Sequence, residues 1–266
     1  MLKTRFLTGA MLTVIIALVI IFSHIPWVLS VAATCISLQS VYELYRVNKL
    51  YGNNKLYYVS CLITLILSFA HIPGYSHIMA LLFIASLILF TYLMLNMKSI
   101  ISIKPAITFM LGVMIAFFFG SMSAIRTMNN GLYLLLSAVL VSVITDIAAY
   151  FVGKGFGKHK LAPVISPKKT IEGSVGGTIF SVFVLMLIAY ILHTNNFITI
   201  DFGVYAIYLI LASIIGQFGD LSMSVIKRIN KTKDYGSVLP GHGGILDRFD
   251  SLLFVLPFTY LFFCLI

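Results

Sequence analysis

An all-α, polytopic integral membrane protein with about nine transmembrane helices is the fold this sequence predicts, and three observations carry it. The 266-residue chain is 60% hydrophobic and only 10% charged, whereas a soluble globular domain carries roughly a quarter charged residues. The apolar residues gather into runs close to the length, about 20 residues, that a helix needs to cross a bilayer. The basic residues sort to one side of those runs, as expected where Lys and Arg stay on the cytoplasmic side.

In chain order the expected spans are 6–23, 27–45, 56–72, 77–97, 105–122, 131–152, 173–193, 203–227 and 249–266. The first, within "MLKTRFLTGAMLTVIIALVIIF", has a basic start and a long apolar core without a small-residue cleavage site, so it reads as a retained span. The breaks "SHIP", "NKLYGNNK", "HIPGYSH", "SIKP" and "TMNNG" carry turn residues. With the N-terminus cytoplasmic and the C-terminus outside, every one of the 18 Lys and Arg residues except Arg126 falls on the cytoplasmic face. That split supports the count of spans. It also accounts for the net charge of +10 without a nucleic-acid partner. The location expected is the cell (plasma or inner) membrane, multi-pass. The three cysteines, Cys35, Cys61 and Cys264, stand apart within apolar runs and read as small packing residues.

This topology puts two long polar loops, 153–172 and 228–248, on the cytoplasmic side. It divides the chain into N-terminal spans 1–5 (residues 1–130) and a catalytic region, spans 6–9 with both loops (131–266). Of the eight acidic residues, Glu43 and Asp201 stand near span ends and ask for no special explanation. The others, Asp146, Glu172, Asp220, Asp234, Asp247 and Asp250, belong to the catalytic region. Carboxylates in or near a span are costly and usually face a partner, an ion or a wet cavity. On span 8, Ser213, Gly216, Gln217, Asp220, Ser224 and Lys227 follow helical spacing and share a face; span 6 repeats the stripe with Ser142, Thr145, Asp146, Ala149 and Gly153. Serines and glycines alone suit close helix packing, but packing does not require an ionisable group such as Asp146 or Asp220. Asp247 and Asp250, three apart at the start of span 9, suit a helix's first turn; beside "GHGG" they also suit Mg²⁺, which commonly takes one or two carboxylates together with substrate phosphates.

The loops supply the complementary charge. In "GKGFGKHKLAPVISPKKTIEGSVGG", Ser166, Lys168, Lys169 and Thr170 crowd the start of span 7, where a helix N-terminus offers free N–H groups to a phosphate. The Walker A pattern is absent, and "GKGFGK" is no dinucleotide fingerprint. Gly241, Gly243 and Gly244 surround His242; successive glycines let backbone N–H groups approach an anion, and the imidazole can donate to a phosphate. Acids for a divalent metal, cations for phosphates and a membrane setting together indicate phosphoryl or nucleotidyl transfer to a lipid.

The stretch "SVIKRINKTKDYGSVLPGHGGILDRFD" (224–250) resembles the signature of the phosphatidate cytidylyltransferases (CDP-diacylglycerol synthases), matching S-x-x-K-R-x4-K-D followed by H-G-G-x-x-D-R-x-D. Residues 146–177 also look like that family, with Ile171 where many members have Trp. The resemblance implies that CTP and phosphatidate react to CDP-diacylglycerol and pyrophosphate with Mg²⁺ required, and it leaves room for a second cation and a homodimer. By analogy Asp220 and Asp247 would hold the metal, supported by Asp250 and Asp146. Lys227, Arg228, Lys233 and Arg248 would neutralise substrate phosphates. Ser166, Lys168, Lys169, Thr170 and the 241–244 loop would seat CTP, with Glu172 and Asp234 beside them. A CTP-dependent polyprenol kinase is the nearest rival, and a membrane transporter a more distant one, because the acids gather near one interface without repeated halves.

Overall fold

The computed structural model describes residues 2–51, 55–69, 75–95, 104–241 and 243–265. Among them are nine α-helices: α1 (Leu2–Ile21), α2 (Pro26–Val47), α3 (Lys55–Phe69), α4 (Tyr75–Leu95), α5 (Lys104–Arg126), α6 (Gly131–Phe156), α7 (Ile171–Thr194), α8 (Phe202–Ile229) and α9 (Leu246–Leu265). Each overlaps one expected span. Their starts have local causes. Pro26 opens α2, where its missing N–H costs nothing. Asp201 Oδ1 accepts the amides of Gly203 (2.7 Å) and Val204 (3.0 Å) at the start of α8.

Seven of these helices, α2 and α4 to α9, are long and apolar enough to cross a membrane over the described residues. The apolar segments Gly9–His24 and Lys55–Leu67 are shorter. The second of these would reach only about 20 Å at 1.5 Å per residue, against a hydrocarbon core of roughly 30 Å. The polytopic all-helical architecture thus stands with seven such helices where nine full spans were expected. Residues 70–72 and 96–97 of the third and fourth expected spans, and Lys98 among the cytoplasmic-side cations, lie outside the described residues.

One element was not expected. Within the 153–172 loop, β1 (Lys160–Ala162) and β2 (Ser166–Thr170) pair antiparallel, Lys160 opposite Thr170 and Ala162 opposite Ser166. Three and five residues are too few for periodicity to reveal a strand.

The chain divides into two compact units: 1–124 with 225–250, and 125–224 with 251–266. This grouping by packing, which puts the 225–250 signature with the N-terminal helices, is a different partition from the one by chemistry expected at residue 130.

In the first unit, the Tyr45 hydroxyl lies 2.9 Å from Ser60 Oγ between α2 and α3. Ser30 and Ser123 meet at 3.2 Å between α2 and α5. The end of α8 is tied down by Asn230, whose Nδ2 donates to Asn48 Oδ1 (2.8 Å) while its Oδ1 accepts from Lys104 Nζ (2.5 Å). Phe249 in the first turn of α9 packs edge-on against Phe119 of α5, ring centroids 6.1 Å apart.

In the second unit, α6 and α7 lie close enough that glycine is needed between them. A Cβ at Gly173 would come within 2.7 Å of the Ala149 carbonyl oxygen, and one at Gly177 within 2.8 Å of that of Thr145. Small residues of this kind let membrane helices approach. The polar stripes of α6 and α8 meet through Thr145 and Ser213 (2.9 Å), and Ser213 is also 2.9 Å from Thr178 of α7. Replacing Gly177 by Leu should therefore lower the unfolding free energy by about 1–3 kcal/mol through overpacking. Thermal unfolding in detergent measures this, and an unchanged midpoint would refute the close-packed seam.

Candidate active site

In the first unit the chemistry-bearing residues flank the turn from α8 into α9. Lys227, in the last turn of α8, is 8% exposed. Its ammonium lies 2.9 Å from Asp247 Oδ1 and 3.9 Å from Asp250 Oδ2. It also sits 5.3 Å from the ring centroid of Tyr235, a cation–π arrangement. Asp247 is held on its other side by two backbone amides, those of Tyr235 (2.7 Å) and Gly244 (3.0 Å), both donating to Oδ2. Because α9 begins at Leu246, Asp247 and Asp250 fall in its first turns, at a spacing that keeps them on one face. Burial, together with the carboxylates of Asp247, Asp250 and Glu43, pushes the Tyr235 phenol well above its ordinary range, so it stays neutral.

Lys233, Asp234, Ser237, Gly241, Gly243 and Arg248 contribute to the wall of a polar cavity of about 590 Å³. Gly241 (φ 78°) and Gly243 (φ 88°) adopt the left-handed conformation that other residues resist, and the Leu239 amide closes the turn on the Gly243 carbonyl at 2.9 Å. His242 lies outside the described residues. Arg228 donates through Nη1 to the Thr232 carbonyl (3.0 Å), bracing the start of the loop. Gly244 is placed differently from the other two glycines: its amide is committed to Asp247, and a Cβ on it would lie 2.3 Å from Glu43 Oε2.

Glu43 is the residue that sequence reasoning passed over. It is fully buried near the end of α2. Its two oxygens accept the amides of Ile245 and Leu246, both at 2.9 Å, and Gln39 Nε2 donates to it at 3.0 Å. The available signal was an ionisable side chain within an apolar run.

In the second unit β2 directs its lysines to opposite sides, as alternate strand residues do. Lys169 Nζ meets Asp220 Oδ2 at 2.5 Å, whereas Lys168 is exposed and Ser166 half-buried. Asp220 Oδ1 also accepts from Ser224 Oγ (3.3 Å). Asp146 lies within electrostatic reach of both Lys169 and Asp220, and it accepts from Ser251 Oγ at 3.1 Å. Thr170 and Glu172, expected near CTP, have local duties. Thr170 Oγ1 caps α7 by accepting the Gly173 amide (3.1 Å). Glu172 accepts the Lys158 and His159 amides (3.1 and 3.2 Å) and sits 2.6 Å from His159 Nδ1.

Each unit thus pairs two carboxylates with a lysine. Among the described residues no group of three or more His, Cys, Asp or Glu side chains is gathered to hold a metal. The donor type still fits Mg²⁺, a hard cation that takes one or two carboxylates and completes its shell with water and substrate phosphates. The lysine ammonium against Asp220, and the other against Asp247, show that positive charge is accepted at these carboxylates.

Comparison with known proteins gives a consistent picture. The sequence model of the cytidylyltransferase family matches residues 3–266. The chain is 49% identical over 138 residues to the phosphatidate cytidylyltransferase of Staphylococcus aureus (strain COL), covering 52% of each protein. It is 48% identical over 141 residues to that of Bacillus subtilis (strain 168), covering 51% of this chain and 49% of the relative. The chain therefore matches about half the length of these curated relatives.

Proposed function

The chain belongs to the cytidylyltransferase family, and on that footing we propose that it transfers the cytidylyl group of CTP to phosphatidate, giving CDP-diacylglycerol and pyrophosphate. The observation that carries this reading is the 225–250 segment. It sets two cation-bearing cavity residues, Lys233 and Arg248, beside the buried Lys227–Asp247–Asp250 cluster at the junction of two membrane-length helices. A water-soluble nucleotide and a lipid that cannot leave the bilayer both need such a junction. The crowding of basic residues into the same loops supports a cytoplasmic face, at the cell membrane.

In the proposed reaction a phosphate oxygen of phosphatidate attacks the α-phosphorus of CTP. The new P–O bond forms as the bond to the β-phosphate bridging oxygen breaks, and the electron pair leaves with pyrophosphate. The attacking oxygen is already anionic near neutral pH, so the chain needs no strong base; it needs positioned positive charge. In the first unit Lys233 and Arg248 hold anionic oxygens at the cavity, and Lys227 and Arg228 add charge from the end of α8; in the second unit Lys168 and Lys169 carry charge on β2. Mg²⁺, held by Asp247 and Asp250 in the first unit or by Asp146 and Asp220 in the second, would neutralise the triphosphate and polarise the reacting phosphorus.

The test is pyrophosphate release by purified protein in detergent or nanodiscs. Release should require CTP, phosphatidate and Mg²⁺ together, with CDP-diacylglycerol formed one for one. Release of CDP with a polyprenol acceptor would instead establish a lipid kinase. Flux of a solute across liposomes without CTP turnover would establish a transporter.

A further inference from the structure

The carboxylate of Glu43 reaches a segment 202 residues away in the chain, and its geometry is that of a built-in cap. The residue before helix α9, Ile245, has no polar side-chain atom with which to cap it, and the first amides of any helix lack partners within it. Here those amides, Ile245 and Leu246, each donate to a separate oxygen of Glu43 at 2.9 Å. Gln39, one turn earlier on α2, fixes the carboxylate through its 3.0 Å bond to Oε1. Among the described residues Glu43 forms no ion pair, so its negative charge is met by amide dipoles and the positive end of α9. The loop is shaped around it: a Cβ at Gly244 would stand 2.3 Å from Oε2, and one at Gly236 would stand 3.0 Å from Oε1. The next residue after the capped pair is Asp247, followed by Arg248 and Asp250.

From this we infer that Glu43 is a positioning residue for the transfer reaction: by capping α9 it sets where Asp247, Arg248 and Asp250 stand relative to Lys227. The inference rests on the proposed function for its catalytic consequence and on the hydrogen bonds alone for its structural one. A buried carboxylate accepting two amides cannot be imitated by glutamine, because one of the two amides then faces an NH₂ donor. Aspartate keeps the charge but is a methylene too short to reach both.

The experiment compares the wild-type chain with Glu43→Gln and Glu43→Asp. In Glu43→Gln, hydrogen exchange at the amides of residues 244–247 should accelerate about tenfold or more, with α5 peptides unchanged. Turnover should fall about 10- to 100-fold, as for a reacting group displaced by around an ångström. The half-saturating Mg²⁺ concentration should rise, which a smaller fraction of folded protein would not cause. Unchanged turnover and Mg²⁺ requirement in folded Glu43→Gln, or faster exchange without either effect, would overturn the inference. If Glu43→Gln does not purify, the same measurements on Glu43→Asp decide. Gly244→Ala gives an independent arm: it should impair the native chain but add little to Glu43→Ala, since the obstructing carboxylate is gone. Full additivity would count against the contact. Absence of any cytidylyl transfer in the wild-type chain would refute the proposed function, while the exchange measurement would still report on Glu43 alone.

Discussion

Lys227→Met should cost the folded protein about 3–5 kcal/mol, the range for removing one partner of a buried ion pair, and should abolish turnover. The side chains of Lys227 and Asp247 are 10% and 3% exposed, and Asp250 shares the same ammonium at 3.9 Å. Methionine fills the stem of the lysine but leaves two carboxylates without their cation. Lys168→Met, at an exposed position on β2, should stay within about 0.5 kcal/mol of wild type. Thermal unfolding in detergent measures both. Equal stability of the two variants would mean that the Lys227 cluster is solvated and contributes nothing to the fold. The coupling can be isolated with Asp247→Asn: the double variant should lose less than the sum of the two single losses.

The second large effect separates two aspartates to which the family resemblance gives the same role. Asp220→Asn and Asp247→Asn should each reduce CDP-diacylglycerol formation about 10²–10³-fold, the loss typical of removing one group that stabilises developing charge. Their stabilities should diverge. Asp220 pairs with Lys169 where both side chains are about a quarter exposed, and such pairs contribute under about 1 kcal/mol. Asp247 accepts two amides and an ammonium in a buried setting. An asparagine there must turn its NH₂ towards a donor, so Asp247→Asn should also unfold at lower temperature. Full activity in either variant would remove that residue from the reaction; equal stability would contradict the geometry at Asp247.

What could be read from the sequence follows from which forces act locally. Apolar runs located the nine helices among the described residues, seven of them of membrane length, and the three-residue spacing of Asp247 and Asp250 put them on one helical face. The roles of Thr170 and Glu172 were harder to read: a Thr and a Glu at a helix start serve equally as phosphate contacts or as caps, and only coordinates show the bonds to Gly173, Lys158 and His159. Glu43 was passed over for another reason. It stands near a span end, where an acid asks for no special explanation, whereas its actual partners, Ile245 and Leu246, are backbone amides more than 200 residues away. Periodicity reports a residue's own helix and carries no information on such long-range partners. The same limit hid the grouping of residues 225–250 with the N-terminal helices.

The central claim, cytidylyl transfer to a phospholipid, is tested most directly by following the phosphates of CTP. Purified protein is given phosphatidate, Mg²⁺ and CTP labelled at either the α or the γ position, and the lipid phase is then separated. Cytidylyl transfer puts α-label in the lipid as CDP-diacylglycerol and all γ-label in water as pyrophosphate. γ-Label in the lipid with CDP left in solution would contradict it.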